Sequence, residues 1–271
     1  MPEGNQSQLS ELVESILDSQ KYRHISADLV QRIGAAELEK GRKPKDAVKA
    51  VKKKLHQIAA AYLTEKPDYP AWLETLKSAS QSKKPQELKN ACRGILMQHA
   101  STRERLPILD DFYTSILDGL GPIHSVLDIA CGLNPLTIPW MPLQDEFTYY
   151  ACDIYTDLAG FLNSFLKLYQ AKGEATVCDV IYKAPQQEVD LALLLKAIPC
   201  LEQIDKSGGE RLLDSTNAKR LIVSFPIHSL GGRQKGMAKN YAARFYALVA
   251  GRSWQIKRFE FDTELAFLIT K

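Results

Sequence analysis

The rhythm of apolar and polar positions changes once along the chain. Up to about residue 120, apolar residues recur at helical spacing. Leu9, Leu12, Val13, Ile16 and Leu17 keep the i, i+3, i+4, i+7, i+8 order of one helix face. After a turn around Lys21 to Ser26, Leu29, Val30 and Ile33 mark a second helix, capped by Ser26 and ending near Gly41. Pro44 fits the first turn of a third, whose stripe is Val48, Val51, Leu55, Ile58 and Tyr62. Two prolines in Glu65-Lys66-Pro67-Asp68-Tyr69-Pro70 predict a linker, then a short helix with Trp72, Leu73 and Leu76. A polar connector from Ser80 to Pro85 precedes a stripe of Leu88, Ala91, Cys92, Ile95 and Leu96. Ser101 and Glu104 have capping-box spacing for a last helix carrying Leu106, Leu109, Phe112, Tyr113, Ile116 and Leu117.

From Ser125 onward, short apolar runs alternate with helical segments, the signature of an α/β fold. The pattern predicts strands over 126–130, 147–152, 175–178, 189–195, 221–225, 255–261 and 264–270. The last two lie too close together for anything but an antiparallel pair. Five parallel-type strands and a closing hairpin predict the methyltransferase variant of the doubly wound sheet, with its ligand at the carboxyl ends of the strands. The expected division is a helical domain over 1–120 and an α/β domain over 121–271.

The pivot is Val126 to Ile129 running into Ala130-Cys131-Gly132-Leu133-Asn134-Pro135. Such a small-residue loop lets backbone N–H groups approach a ligand closely. It is no P-loop, because the Lys-Ser/Thr pair is missing, and Gly132 alone makes a poor dinucleotide fingerprint. The strand ends add chemistry. Asp153 closes the second strand about 20 residues past the loop, where an acid in this sheet type accepts the ribose hydroxyls. Asp179 closes the third, where a carboxylate can accept from an adenine amino group, and Asp128 precedes the loop. One such Asp is ordinarily a turn or cap residue. Three in register at the tips of one sheet predict a nucleoside site.

Lys196 ends the fourth strand. It suits a phosphate or a cofactor carboxylate, or is simply a surface lysine. The polar-Pro-Pro-aromatic motif that amino-group methyltransferases place there is absent. The expected target is therefore a ring nitrogen with a free lone pair, which needs position and electrostatics but no base.

Composition narrows the class. The 271 residues are 45% hydrophobic and 25% charged, ordinary for a globular protein. No apolar run approaches the ~20 residues of a membrane span. Met1 to Ser10 is polar, without the core of a secretory leader, so a cytoplasmic protein is expected. Five scattered cysteines with no CxxC pair predict reduced thiols and neither disulfides nor a metal site.

The net charge of +3 conceals two basic regions. Between Lys40 and Gln57 stand Lys40, Arg42, Lys43, Lys45, Lys49, Lys52, Lys53 and Lys54 against Asp46 alone. Between Ser215 and Phe259 there is no acid, and Arg233 and Lys235 sit in a glycine-rich loop after the fifth strand. A lysine run is ordinarily a solvated face. Two such regions in one chain point to nucleic acid.

Several longer stretches then carry a resemblance. They are Lys21-Tyr22-Arg23, Lys54-Leu55-His56 with Ala61-Tyr62, His99-Ala100-Ser101-Thr102-Arg103-Glu104-Arg105, the Val126–Pro135 stretch, and Ser224-Phe225-Pro226 through Gly231-Gly232-Arg233, Gly236-Met237 and Asn240-Tyr241. Across nearly its whole length the chain resembles the aminoglycoside-resistance 16S rRNA (guanine(1405)-N(7))-methyltransferases. The resemblance implies a class I S-adenosylmethionine-dependent methyltransferase, a seven-stranded Rossmann-like sheet behind an N-terminal all-helical domain that docks on the small (30S) ribosomal subunit. It implies S-adenosylmethionine as methyl donor, S-adenosylhomocysteine as product, 16S rRNA within the assembled subunit as substrate, no membrane, and a monomer.

Carried over by motif, Ala130 and Gly132 flank the methionine part of the donor. Asp153 with Ile154 holds the ribose, and Asp179 with Val180 the adenine. Tyr62, His99, Ser101 and Lys196 complete the donor contacts, and Arg105 is the expected partner of the donor carboxylate. Lys196 is the one candidate catalytic residue, with no general base expected. Lys21, Arg23, Lys45, Lys49, Lys52, Lys53, Arg233 and Lys235 are the candidate RNA contacts. A flipped guanine would present N7 to the donor methyl, stacked on Phe225, Trp140 or Tyr241. Two other readings fit the same residues: methylation of another rRNA position such as an adenine N1, and a non-catalytic RNA-binding relative.

Overall fold

The computed structural model describes residues 3–60, 66–82, 84–227 and 237–271. The first half is helical: α1 (Glu3–Leu17), α2 (Ala27–Glu39), α3 (Pro44–Leu55) continuing into a π-helical turn (His56–Ala60), α4 (Tyr69–Gln81), α5 (Pro85–Leu96), α6 (Ala100–Arg105) and α7 (Leu109–Leu117). Local chemistry sets the boundaries. Ser26 Oγ accepts from the Leu29 N–H, Asp68 accepts from Ala71, and Pro44, Pro70 and Pro85 sit in first turns where no N–H is needed. The Pro67–Pro70 linker is thus partly helix: Pro70 starts α4 rather than separating it.

The second half holds β1 (Ser125–Ile129), β2 (Thr148–Asp153), α8 (Thr156–Leu168), β3 (Ala175–Val177), β4 (Val189–Leu195), α9 (Ile198–Ile204), α10 (Gly208–Ser215), β5 (Ala218–Pro226), α11 (Met237–Val249), β6 (Gln255–Glu260) and β7 (Glu264–Thr270). These strands form one seven-stranded sheet ordered β3-β2-β1-β4-β5-β7-β6. All pairings are parallel except those of β7, which is antiparallel to both β5 and β6. The chain reverses its winding between β1 and β4, and that switch point opens a crevice at the strands' carboxyl ends.

Period-two alternation divides the core into two layers. Leu191, Leu193 and Leu195 of β4 face the side covered by α4, α5, α7 and α8, while Ala192 and Leu194 face α9, α10 and α11. A central strand buried on both faces must read as an unbroken apolar run, which Val189 to Leu195 does.

The packing does not divide at residue 120. Leu76, Cys92, Leu96 and Phe112, from the helical half, belong to the same buried cluster as Val126 and Leu193 of the sheet. Among the described residues, α1–α3 have a core of their own, built on Leu12, Ile16, Val30, Ile33, Val51 and Leu55. That three-helix unit is stitched to the loop after β2. Ile25 and Tyr155 form an antiparallel bridge, Ser26 N donates to Ile154 O, and Thr156 N donates to His24 O, both at 2.8 Å.

Candidate active site

The tips of β1 and β4 are bent by unusual backbone. Ala130, Gly132 and Lys196 have φ of 52°, 50° and 58°, the left-handed region that only glycine enters at no cost. The turns aim the backbone of both loops into one cleft. At Gly132 a side chain would be strained twice over, because a β-carbon would also lie 3.2 Å from the His99 ring. The Gly132 N–H donates to Asp153 Oδ2 at 2.8 Å, and the Ile154 N–H to Asp153 Oδ1 at 2.7 Å. Burial pushes the Asp153 carboxyl above its ordinary range, against the opposing pull of these backbone donors.

Together the loops enclose a cleft of about 1000 Å³ counting its open mouth. Of the residues the motifs single out, His99, Ser101, Ala130, Gly132, Asp153, Ile154, Asp179, Val180 and Lys196 line it. Leu29 of α2, Ile58 of the π-helical turn and Tyr69 of α4 line it as well. The helical half is therefore one of its walls, which residue periodicity did not predict. A carboxylate at each of two strand tips, apolar walls and a glycine for close backbone approach fit a nucleoside with a polar tail.

At the opposite end from Asp179 the cations are already engaged. Lys196 Nζ donates to Ser101 O at 3.0 Å and to Glu104 Oε2 at 2.9 Å, and forms an ion pair with Glu264 Oε2 at 3.3 Å. Arg105, expected at the donor carboxylate, does not line the cleft. It is 1% exposed and donates to Glu264 from Nε and Nη2 and to Asn134 Oδ1 from Nη1. A buried guanidinium demands a buried partner, and Glu264, 0% exposed at the start of β7, is that partner. Burial alone would raise the Glu264 carboxyl, but Arg105 and Lys196 hold it below its usual value.

Asn134 extends the network. Its amide donates to Asp128 Oδ2 at 2.8 Å, which also accepts from Tyr149. Asp128 is thus behind the cleft and not a ligand contact; burial pushes its carboxyl up to about 7.

Two further expectations change. The capping box at Ser101 and Glu104 does not form, because α6 begins two residues earlier, with His99 in place of Ser101 at the cap. Ser101 Oγ instead meets His99 Nδ1 at 3.1 Å, and Glu104 meets Lys196. Of the proposed stacking residues, Phe225 is packed against Tyr241, Phe245 and Phe267 in the core. Trp140 is buried with its Nε1 on Asp110, so neither ring lines the cleft; half-buried Tyr241 stacks on Phe225. Tyr62 lies outside the described residues.

The family model described as ribosomal RNA methyltransferase (FmrO) matches residues 18–268. This chain belongs to the FmrO family. A relative from Micromonospora echinospora, a 16S rRNA (guanine(1405)-N(7))-methyltransferase, is 36% identical over 269 residues, 98% of either chain. One of the same name from Serratia marcescens is 36% identical over 263 residues, covering 97% of this chain and 98% of that one. The solved structure of 16S rRNA methyltransferase RmtF in complex with S-adenosyl-L-homocysteine matches with a TM-score of 0.80 at 32% identity, over 100% of this chain and 99% of that one.

In this FmrO-family chain the basic run on α3 sorts into two groups. Lys40, Arg42 and Lys54 converge on the Glu37 carboxylate at 2.7, 2.7 and 2.8 Å. Burial would raise that carboxyl, but the three cations hold it at about 2. Lys45, Lys49 and Lys53 stay exposed, and Lys52 is half-buried. Lys21 joins them from the preceding turn, its Nζ 3.2 Å from His56 Nδ1, while Arg23 is exposed in that turn. Four cations of the second basic region are paired with carboxylates. Lys219 pairs with Asp190, Arg244 with Glu202, Arg252 with Asp214 and Glu210, and Arg258 with Glu260. Arg233 and Lys235 lie outside the described residues. Except for Glu260, which shares β6 with Arg258, these acids come from other parts of the chain, where a local count of charges cannot detect the pairing.

Proposed function

We propose that this chain transfers a methyl group from S-adenosylmethionine to N7 of guanine 1405 of 16S rRNA, so conferring aminoglycoside resistance. The reading rests on one observation: Ala130, Gly132, Asp153, Asp179 and Lys196 surround a single cleft in a chain of the FmrO family. Its relatives of that printed activity match it almost end to end.

Asp153 would accept the ribose hydroxyls, Asp179 with Val180 would read the adenine, and Ala130 with Gly132 would bracket the methionine part. When bound, S-adenosylmethionine supplies an electrophilic methyl on a sulfonium. Guanine N7 keeps a free lone pair and loses no proton on methylation, so the chain needs no general base. The residues agree with that demand. Burial, with Lys196 and Arg105 nearby, drops the His99 imidazole to about 4, which makes it neutral and a weak base at pH 7. Lys196 is engaged by Ser101 O and by the Glu104 and Glu264 carboxylates. Its role is to fix the charge at that end of the cleft, and catalysis comes from holding two reactants in line.

The RNA surface in this reading is Lys21, Arg23, Lys45, Lys49, Lys52 and Lys53 on the three-helix unit, acting on the assembled 30S subunit as a cytoplasmic monomer. Among the described residues no helix is long and apolar enough to cross a membrane. Incubation of intact 30S subunits and of free 16S rRNA with tritiated donor tests the proposal. Label on subunits alone, mapped by primer extension to guanine 1405, is expected. Label at an adenine would replace the target, and no label on either substrate would leave only a binding protein.

A further inference from the structure

The three-helix unit reaches into the cleft's chemistry as well as its wall. Arg32, midway along α2, donates from Nε to Asp179 Oδ2 at 2.6 Å across 147 positions of sequence. The two side chains are 28% and 8% exposed. The guanidinium's Nη2 is buried with no hydrogen-bond partner. An unpaired buried donor is unfavourable, so the arginine is not explained by packing alone. What it gains there is the contact with Asp179.

Asp179 in turn is gripped twice. Arg32 holds Oδ2, and the Ile181 N–H donates to Oδ1 at 3.2 Å. Two such contacts fix both torsions of a short side chain. They also leave each oxygen a further lone pair for a ligand. A nearly buried carboxylate needs a counter-charge, and Arg32 is the cation paired with this one among the described residues.

We propose that Arg32 is a positioning residue of the donor site: from the RNA-docking unit, it orients the Asp179 carboxylate that accepts from the adenine amino group. This rests on the donor-binding reading above. It means that the adenine end of the site is complete only when α2 is seated on the loop after β3.

Calorimetric titration of the full chain with S-adenosylhomocysteine tests it, using the parent, Arg32→Ala, Arg32→Lys, Asp179→Ala and the Arg32→Ala/Asp179→Ala double variant. Loss of a charge-assisted hydrogen bond that orients a ligand contact should weaken binding about tenfold in Arg32→Ala. Arg32→Lys should recover part of that loss, and Arg32→Ala should cost nothing further once Asp179 is gone. With subunits as substrate, the KM for the donor should rise while kcat at saturating donor stays within about twofold. Parent-like affinity in Arg32→Ala, or the same factor lost with and without Asp179, overturns the inference. If Arg32→Ala does not fold, the Arg32→Lys titration decides: affinity equal to the parent's, or as weak as that of Asp179→Ala, counts against it. A parent that binds no S-adenosylhomocysteine would sink the donor-site reading itself, a distinguishable failure.

Discussion

Ala130 and Lys196 each carry a β-carbon yet hold left-handed backbone, at the tips of two adjacent strands. Such a conformation costs about 1–3 kcal/mol per residue and persists where surrounding contacts impose it. Here the Lys196 N–H is pinned by Ser224 O and Oγ, and the loop beside Ala130 by Asp153. Asp153 braces the first loop through the Gly132 N–H, and in the proposed reading it would also accept from the donor ribose. Replacing it with Ala should weaken donor binding by at least about a hundredfold, the cost of two charge-assisted bonds, as read by calorimetry. His99 permits a pH test. Its folded-state value of about 4 lies below the ordinary 6.5, so the unfolded chain binds the proton more readily. Stability should accordingly fall as pH drops from about 6.5 to 4, by at most about 3 kcal/mol from this residue. Urea unfolding across that range should show a shallower decline in His99→Gln than in the parent.

At the scale of elements, α3 shows how a basic run is divided. Glu37 fixes Lys40, Arg42 and Lys54, while the opposite turns present Lys45, Lys49 and Lys53 outward. Cations already held by a carboxylate release few counterions on meeting phosphate, so the outward group should dominate RNA affinity. Charge reversal at Lys52 and Lys53 should weaken 30S binding and lower the slope of log K against log salt by about one per lost phosphate contact, with donor affinity kept. Filter binding at several salt concentrations measures both. Strands were the legible elements: β4 and β7 have the bounds their apolar runs predict. Each is buried so fully that its pattern had one solution. Less legible was α6, whose Ser101 and Glu104 satisfy a local rule yet spend their side chains on His99 and Lys196. His99 is a local rival for Ser101, but Lys196 lies 92 positions from Glu104, and nothing in a six-residue window announces it.

Across the whole molecule, the cleft was readable from strand tips, but the walls from α2 and α4 were not. The same holds for Arg105, whose partner Glu264 is 159 residues away. Pairings at such separation leave no periodic trace, and a motif match identifies a residue without saying which neighbour it meets. The seam at Ile25 and Tyr155 joins the separately packed α1–α3 unit to the Asp153 end of the cleft. Because Leu29 and Ile58 line the cleft, donor binding should steady that unit. Hydrogen exchange should show slower exchange in α2 and at Ser26 on adding S-adenosylhomocysteine, with α11 little changed. Unaltered exchange in α2 would contradict a shared wall.

That seam also limits how such enzymes can be recombined. A chimera that takes its first sixty residues from another member of the family would import foreign side chains opposite the Tyr155 and Asp179 loops, so a working exchange must carry those loops across with it. The helical front is better regarded as one jaw of a vice than as an interchangeable adaptor.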